Sequence, residues 1–449
     1  MGKLFGTDGI RGVAFEYPLT VEMAEKIGRA VAHLCKCPGH IPEIIVGKDT
    51  RISGDILESA IVAGICSQGA NAVLVGVIPT PGIAFLSSAL QADAGIVISA
   101  SHNPFEDNGI KFFGGKGLKL SAEEELTLEE LVLADRLSSV PPAPQESGRV
   151  SRLGDAGKRY ILFLKNSFIK TAGIKGVSLV LDCANGAASK IAPKIFRELG
   201  AEVTAIFNKP NGKNINAGCG SQHPEMLAKM VVEKKAAAGF AFDGDGDRVI
   251  AVDEKGTVLT GDQILAVCAA SLKKEGRLEN NLVVRTVMSN IGMSVALREL
   301  GIASVITEVG DSAVLAEMQA RGAIIGGEDS GHIIFLNHHT TGDGIITALQ
   351  VSAVMSKEKK PLSELAGIMT VFPQALINVE VKKRKSTAAV PEIARIIKDV
   401  EDKLGKGGRV LVRYSGTQNL CRVMVEGPTT ELTDKYCRQI AEVVKTTLS

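Results

Sequence analysis

Val177–Phe207 reads VSLVLDCANGAASKIAPKIFRELGAEVTAIF. An apolar, β-branched run (VSLVLD) gives way to an amphipathic stretch, a glycine turn and a second apolar run. Strand, helix, turn, strand is the grammar of a βαβ unit, whose two strands pair in parallel. The same order recurs on both sides. Glu43–Gly76 runs EIIVGKDTR into LESAIVAGICSQGANAVLVG, and Asn281–Gly310 reads NLVVRTVMSNIGMSVALRELGIASVITEVG. Three copies at spacings of roughly a hundred residues predict three related α/β domains with mixed, largely parallel sheets. Beyond Gly367 the pattern changes. The strand-like ALINVEVKK, the helix-like PEIARIIKDVEDKL, the strands RVLVRYSG and CRVMVEG and a closing helix make a smaller α+β domain. The expected divisions are 1–148, 149–252, 253–367 and 368–449, with a Pro-rich linker around Pro141–Arg149.

Composition narrows the function classes. Lys+Arg 51 against Asp+Glu 50 leaves a net charge of +1, so no basic field exists for nucleic acid or anionic lipid. Aromatics are 4% with no tryptophan, which disfavours stacking platforms. No apolar run approaches the ~20 residues of a membrane span, and MGKLFGTDGIRG lacks the apolar core of a signal peptide. A cytoplasmic protein, monomeric or homodimeric, is expected. Glycine is abundant, 48 of 449 residues, as in a loop-built site. The eight cysteines are too sparse for a disulfide scaffold. His33, Cys35, Cys37 and His40 could be offered as zinc ligands, but their spacing is wrong for paired-ligand knuckles and they close the helical pattern VEMAEKIGRAVAHL. A helix terminus is the expected reading.

Five segments carry chemistry. In DGDGDR (Asp243–Arg248), Asp243, Asp245 and Asp247 alternate with glycines between the apolar runs GFAF and VIAVD. Carboxylates on so tight a turn converge on a hard cation such as Mg²⁺ and repel one another without one. An EF-hand is excluded because Arg248 stands at the obligatory glycine and strands flank the loop. In GIVISASHNPFEDNGIKFF, Ser101 and His102 follow a strand and Lys111 lies further on. No nucleophile elbow surrounds Ser101, whereas a phosphorylated serine would need only a cation and basic groups nearby. GTDGIRG frames Arg11 with glycines. GGEDSGH offers Glu328 and Ser330 for sugar hydroxyls and His332 for proton transfer. In RYSGTQNLCR, Arg413 and Arg422 bracket Ser415, Gly416 and Thr417, a cradle for a phosphate dianion.

These motifs, in this order, resemble the α-D-phosphohexomutase family along nearly the whole chain, SASHNP and DGDGDR most specifically. KNINAGCGSQHPE (Lys213–Glu225), VMSNIG and TTGDGIITALQ resemble its amino-sugar branch. The resemblance implies four domains in a heart shape around one cleft. It implies phosphorylation of Ser101 and Mg²⁺ held by that phosphate with Asp243, Asp245 and Asp247. The implied enzyme is an isomerase that interconverts glucosamine 6-phosphate and glucosamine 1-phosphate through a 1,6-bisphosphate, feeding UDP-N-acetylglucosamine and cell-wall precursor synthesis. Glucosamine 1,6-bisphosphate or another hexose 1,6-bisphosphate would be the activator. Arg11, His102, Lys111, Arg248 and His332 would act catalytically, with Lys111, His332 and Arg11 as unranked proton acceptors. Glu328, Ser330, Arg413, Ser415, Gly416, Thr417 and Arg422 would bind the phosphosugar. Three departures stand out: Asp329 where the branch usually has Gln, Ser312 where Arg is usual, and Gln418-Asn419 for Glu-Pro. A carboxylate at Asp329 could pair with a substrate ammonium or loosen specificity. The competing readings are a mannose or glucose phosphomutase, an aspartyl-phosphate phosphatase (from Asp245-Gly-Asp247-Arg-Val249), and an inactive sugar-phosphate binder.

Overall fold

A computed structural model of the chain describes residues 4–6, 8–134, 137, 147–168, 173–382, 390–414 and 419–448. They form two compact units, Met1–Met288 with Ile302–Gly367, and Ser289–Gly301 with Ile368–Ser449. The first unit holds three sheets, each containing the two strands of one of the three βαβ segments.

The first sheet contains β1 (Ile10–Val13), β2 (Glu43–Lys48), β3 (Asn71–Val77), β4 (Ala94–Ile98), β5 (Asp107–Gly114) and β6 (Val150–Arg152), in the order β1-β5-β4-β2-β3-β6. β2, β3, β4 and β6 run parallel, while β5 returns antiparallel to β4 and pairs with β1. Its helices are α1 (Val21–Leu34), α2 (Gly54–Ser67), α3 (Thr80–Ala89) and α4 (Ala122–Leu133). Residues 141–146 of the Pro-rich segment lie outside the described residues.

The second sheet follows α5 (Ala156–Ser167). It is built from β7 (Ser178–Asp182), β8 (Glu202–Ile206), β9 (Ala238–Phe242), β10 (Val249–Asp253) and β11 (Val258–Leu259), with α6 (Ile191–Glu198) and α7 (Glu225–Lys234) between strands. β7 pairs in parallel with β8 and β9, and β9 and β10 form an antiparallel hairpin. The third sheet follows α8 (Gly261–Lys274). Its strands are β12 (Leu282–Thr286), β13 (Ala303–Thr307), β14 (Ile325–Gly327) and β15 (Ile333–Phe335). Along the chain α9 (Ile291–Glu299) joins β12 to β13, and α10 (Asp311–Arg321) joins β13 to β14. α11 (Gly344–Glu358) and α12 (Leu362–Ala366) follow β15. β4, β9, β10 and β12 are buried at every residue, as expected of strands covered on both faces, with polar residues only at the ends of β10 (Asp253) and β12 (Arg285, Thr286).

The second unit carries an all-antiparallel sheet of β16 (Gln374–Glu380), β17 (Arg409–Tyr414) and β18 (Leu420–Glu426), with β18 in the middle. α13 (Pro391–Leu404) and α14 (Thr430–Leu448) accompany it, and Ile393, Val400, Cys437, Ile440 and Val444 join its core.

Candidate active site

β4 delivers Ser101 to the carboxyl end of the first sheet, where open α/β sheets bind ligands. Ser101 is fully buried and adopts φ +52°, a left-handed conformation that a residue with a Cβ takes at a cost of order 1–3 kcal/mol. Its Oγ donates to Asp243 Oδ2 at 2.6 Å and lies 3.3 Å from His102 Nδ1. The hydroxyl and the acidic turn, 142 residues apart in sequence, therefore meet.

Asp243, Asp245 and Asp247 occupy the turn between β9 and β10. Phe242 pairs with Val249, so the hairpin register closes the turn tightly. At Gly244 a Cβ would fall 2.5 Å from Ser101 O, so only glycine lets the turn approach the serine loop this closely. The three carboxylates are buried, with one oxygen of each within 4.8 Å of the others. Among the described residues, Asp245 Oδ1 and Asp247 Oδ1 have no hydrogen-bond partner. Orphaned, buried, converging hard oxygens fit a divalent cation such as Mg²⁺. This triad is the sole cluster of its kind among the described residues.

The electrostatics of the turn are uneven. Burial, then repulsion from Asp247 and Asp245, raises the Asp243 carboxyl well above its usual pKa. Burial would raise Asp247 too, but Lys111, His332 and Arg248 hold it well below the usual range. Lys111 is almost inaccessible, and its Nζ reaches Asp245 Oδ2 at 2.8 Å, Asp247 Oδ2 at 3.2 Å and Asp8 Oδ2 at 2.9 Å. Burial would lower its pKa, yet these three acids raise it well above that of a free lysine. Lys111 is thus a fixed positive charge beneath the turn. Thr80 Oγ1 donates to Asp245 Oδ2 at 2.6 Å and fixes that carboxylate from α3.

Burial, with Arg248 and Arg11 nearby, lowers the His102 pKa to about 4. Its neutral Nδ1 lies 3.2 Å from Arg248 Nη1, which can only donate. Arg248 also donates from its backbone N–H to Asp243 Oδ1 at 3.2 Å. His332 enters from the third sheet, with Nδ1 3.8 Å from Asp247 and Nε2 3.7 Å from Asp311. Gly342 N–H donates to Nε2 at 3.1 Å, which puts the proton of the neutral ring on Nδ1. Burial would lower the His332 pKa, but Asp247 and Asp311 raise it.

Arg11 donates to Asp8 Oδ2 at 2.5 Å. Asp8 also accepts from Lys119, which pairs with Asp311 as well. Asp8, Thr80, Lys119 and Asp311, none of them singled out from the sequence, thus join the site. Asp8 lies inside GTDGIRG and could have been drawn from it, whereas Lys119 and Thr80 are brought in only by folding. Glu328 Oε1 accepts from Gly310 N–H at 3.1 Å, and the buried Ser330 Oγ has no hydrogen-bond partner among the described residues. Asp329 Oδ1 faces Asp262 N–H at 3.4 Å, at the start of α8, where a helix terminus favours an anion. Ser312 is exposed at the start of α10.

In the second unit Arg413 and Arg422 stand directly opposite each other on β17 and β18, so two cations share one face. Ser415, Gly416, Thr417 and Gln418 lie outside the described residues. The segment His33–His40 is a helix terminus, as expected. α1 ends at Leu34, Cys37 and His40 form an isolated bridge, and His40 Nε2 pairs with Asp93 at 2.9 Å. No helix among the described residues is long and apolar enough to cross a membrane.

Three α/β sheets, with a buried serine beside a three-aspartate turn, and a smaller antiparallel sheet make up a phosphohexomutase-type fold. Family models match in sequence order: phosphoglucomutase/phosphomannomutase domain I over residues 2–138, domain II over 158–256, domain III over 260–372 and the C-terminal domain over 376–443. The chain belongs to the phosphoglucomutase/phosphomannomutase family. It is 64% identical over 445 residues to a phosphoglucosamine mutase of Syntrophus aciditrophicus (strain SB), covering 99% of each chain. Among solved structures it resembles a phosphoglucomutase/phosphomannomutase family protein from Burkholderia thailandensis (TM-score 0.81, 24% identity, 99% of this chain and 97% of that one). It also resembles Aspergillus fumigatus N-acetylphosphoglucosamine mutase in complex with GlcNAc-6P and magnesium (TM-score 0.69, 18% identity, 100% and 96%). At these identities the structures establish the fold.

Proposed function

We propose that this chain is a phosphoglucosamine mutase that interconverts glucosamine 6-phosphate and glucosamine 1-phosphate through a phosphorylated Ser101. The observation that carries this reading is the 2.6 Å contact between Ser101 Oγ and Asp243 at the three-aspartate turn. The 64% identity over 99% of the chain supports glucosamine as the sugar.

Asp243, Asp245 and Asp247, with an oxygen of phospho-Ser101, are the residues that would hold Mg²⁺. The ion would supply charge stabilisation to the transferring group. In the first transfer the sugar 1-hydroxyl forms a bond to phosphorus as the Ser101 Oγ–P bond breaks, its proton passing in net to the departing Ser101 Oγ, giving the 1,6-bisphosphate. The bisphosphate reorients, and the second transfer returns the 6-phosphoryl group to Ser101. Little covalent chemistry is asked of the protein, so in-line positioning and fixed charge carry most of the rate. Lys111, already pinned as a cation by three acids, suits charge stabilisation better than proton abstraction. Neutral His102 flanks Ser101 Oγ and in turn meets Arg248, and His332 Nδ1 faces Asp247. Arg11 is oriented by Asp8. Glu328 and Ser330 are proposed to read sugar hydroxyls. The second unit is proposed to supply a phosphate-binding site from Arg413, Ser415, Gly416, Thr417 and Arg422. A hexose 1,6-bisphosphate would load Ser101 and activate the enzyme.

The test is intact-mass measurement before and after incubation with glucose 1,6-bisphosphate, with turnover assayed on glucosamine, mannose and glucose phosphates. An acid-stable phosphoserine at Ser101, preference for glucosamine and loss of turnover in Ser101→Ala are expected. Turnover surviving in Ser101→Ala, or an acid-labile acyl phosphate on an aspartate, would instead favour the phosphatase reading.

A further inference from the structure

The segment KNINAGCGSQHPE has no role in the chemistry above, yet it touches the serine loop. Asn216 is buried, and its Nδ2 donates to Ser101 O at 2.9 Å and to Asn103 O at 2.9 Å. Its own backbone is tied down, since Asn216 N–H donates to Ala184 O in the loop after β7. The neighbouring Gly220 N–H donates to Asp182 Oδ2.

A second group grips the same loop from the first sheet. The Arg51 guanidinium donates to Ser101 O at 3.1 Å, Asn103 O at 2.8 Å, Asp107 O at 2.9 Å and to Pro104 O. Its Nε pairs with Asp49 Oδ2, both side chains being inaccessible. Asp49 accepts from Ser99 Oγ at 2.5 Å, and Ser99 Oγ accepts from Ser101 N–H at 3.0 Å. Both peptide groups of Ser101 are therefore fixed, and its carbonyl oxygen is shared by two donors from different sheets. A serine at φ +52° persists only where its surroundings over-determine the backbone, and these bonds do so.

Resting on the mutase reading, we propose that Asn216, together with Arg51, is a positioning residue that locks Ser101 in the left-handed conformation aiming Oγ at Asp243. The segment that marks the amino-sugar branch then acts on the phosphoryl carrier and not on the sugar. Misplacement of a reacting group by about 1 Å costs on the order of a hundredfold in rate, without weakening substrate binding.

The experiment is Asn216→Gly in the full chain, because glycine accepts the native φ of +58° while removing the side chain whose Nδ2 donates to the loop. Single-turnover phosphorylation of Ser101 by glucose 1,6-bisphosphate is followed by intact mass, beside steady-state kcat and KM. We expect phosphorylation rate and kcat to fall about ten- to a hundredfold while KM moves less than about twofold. Arg51→Lys keeps a cation on Asp49 but loses the fork, so it should give the same split if Asn216→Gly does not fold. Wild-type phosphorylation rate and kcat in folded Asn216→Gly overturn the proposal, as does a raised KM at unchanged kcat in either variant. A wild-type protein that neither takes up phosphate nor interconverts the sugars fails the mutase reading itself, and the inference falls with it at that control.

Discussion

The Asp243–Asp247 turn and the His33–His40 segment each concentrate metal-binding side chains in a short stretch, and the fold treats them in opposite ways. The aspartates sit between two wholly buried strands, so hairpin closure forces their oxygens together away from water. The histidines and cysteines straddle the end of α1, form no cluster of ligand atoms among the described residues, and leave His40 paired with a half-buried Asp93. Ligand-type residues make a site when the backbone removes their access to water and to other partners. Density in the sequence alone does not do this.

Asp243→Asn should separate the two regions most sharply. We expect mutase activity to fall about a thousandfold, with Mg²⁺ affinity by calorimetry falling in step. Metal-free melting temperature should hold or rise, because Asp243 carries the charge that burial and its two neighbours disfavour most. Unaltered activity would break the comparison, since the turn would then be an ordinary acidic hairpin.

A smaller effect is expected at His102, whose pKa is lowered to about 4 from 6.5. A depressed histidine pKa means that the unfolded chain binds the extra proton. Its contribution to stability is full above pH 6.5 and is lost as pH falls towards about 4. Denaturant unfolding of unphosphorylated wild type should therefore weaken more steeply over this interval than that of His102→Gln. Equal slopes would mean that His102 is not shielded as described.

The smallest effects belong to the other cluster. Cys37→Ser and His40→Ala should each change stability by less than about 1 kcal/mol and leave turnover and metal content alone. A zinc ion found by elemental analysis and lost in these variants would overturn the contrast.

Much of this was legible in the chain. Periodicity placed α1 over VEMAEKIGRAVAHL and α13 over PEIARIIKDVEDKL, and the turn spacing picked out the three aspartates, because each depends on neighbours within a few residues. Lys119 and Thr80 were not legible. Lys119 earns its place from ion pairs to Asp8 and Asp311, far away in sequence, and Thr80 from one hydrogen bond to Asp245. Asn216 was conspicuous as part of a motif, but its contact with the serine loop was not.

By itself the sequence determined the repeated βαβ units, the separate α+β character of the C-terminal domain and the chemical inventory of serine, aspartates and cations, since local patterning dictates which segments become buried strands. Only the tertiary structure decided which charges neutralise one another, that Lys111 lies under the acidic turn and that Ser101 is held at φ +52°. Ion pairing and loop strain depend on groups that approach through space, and their energies arise only once water has been excluded.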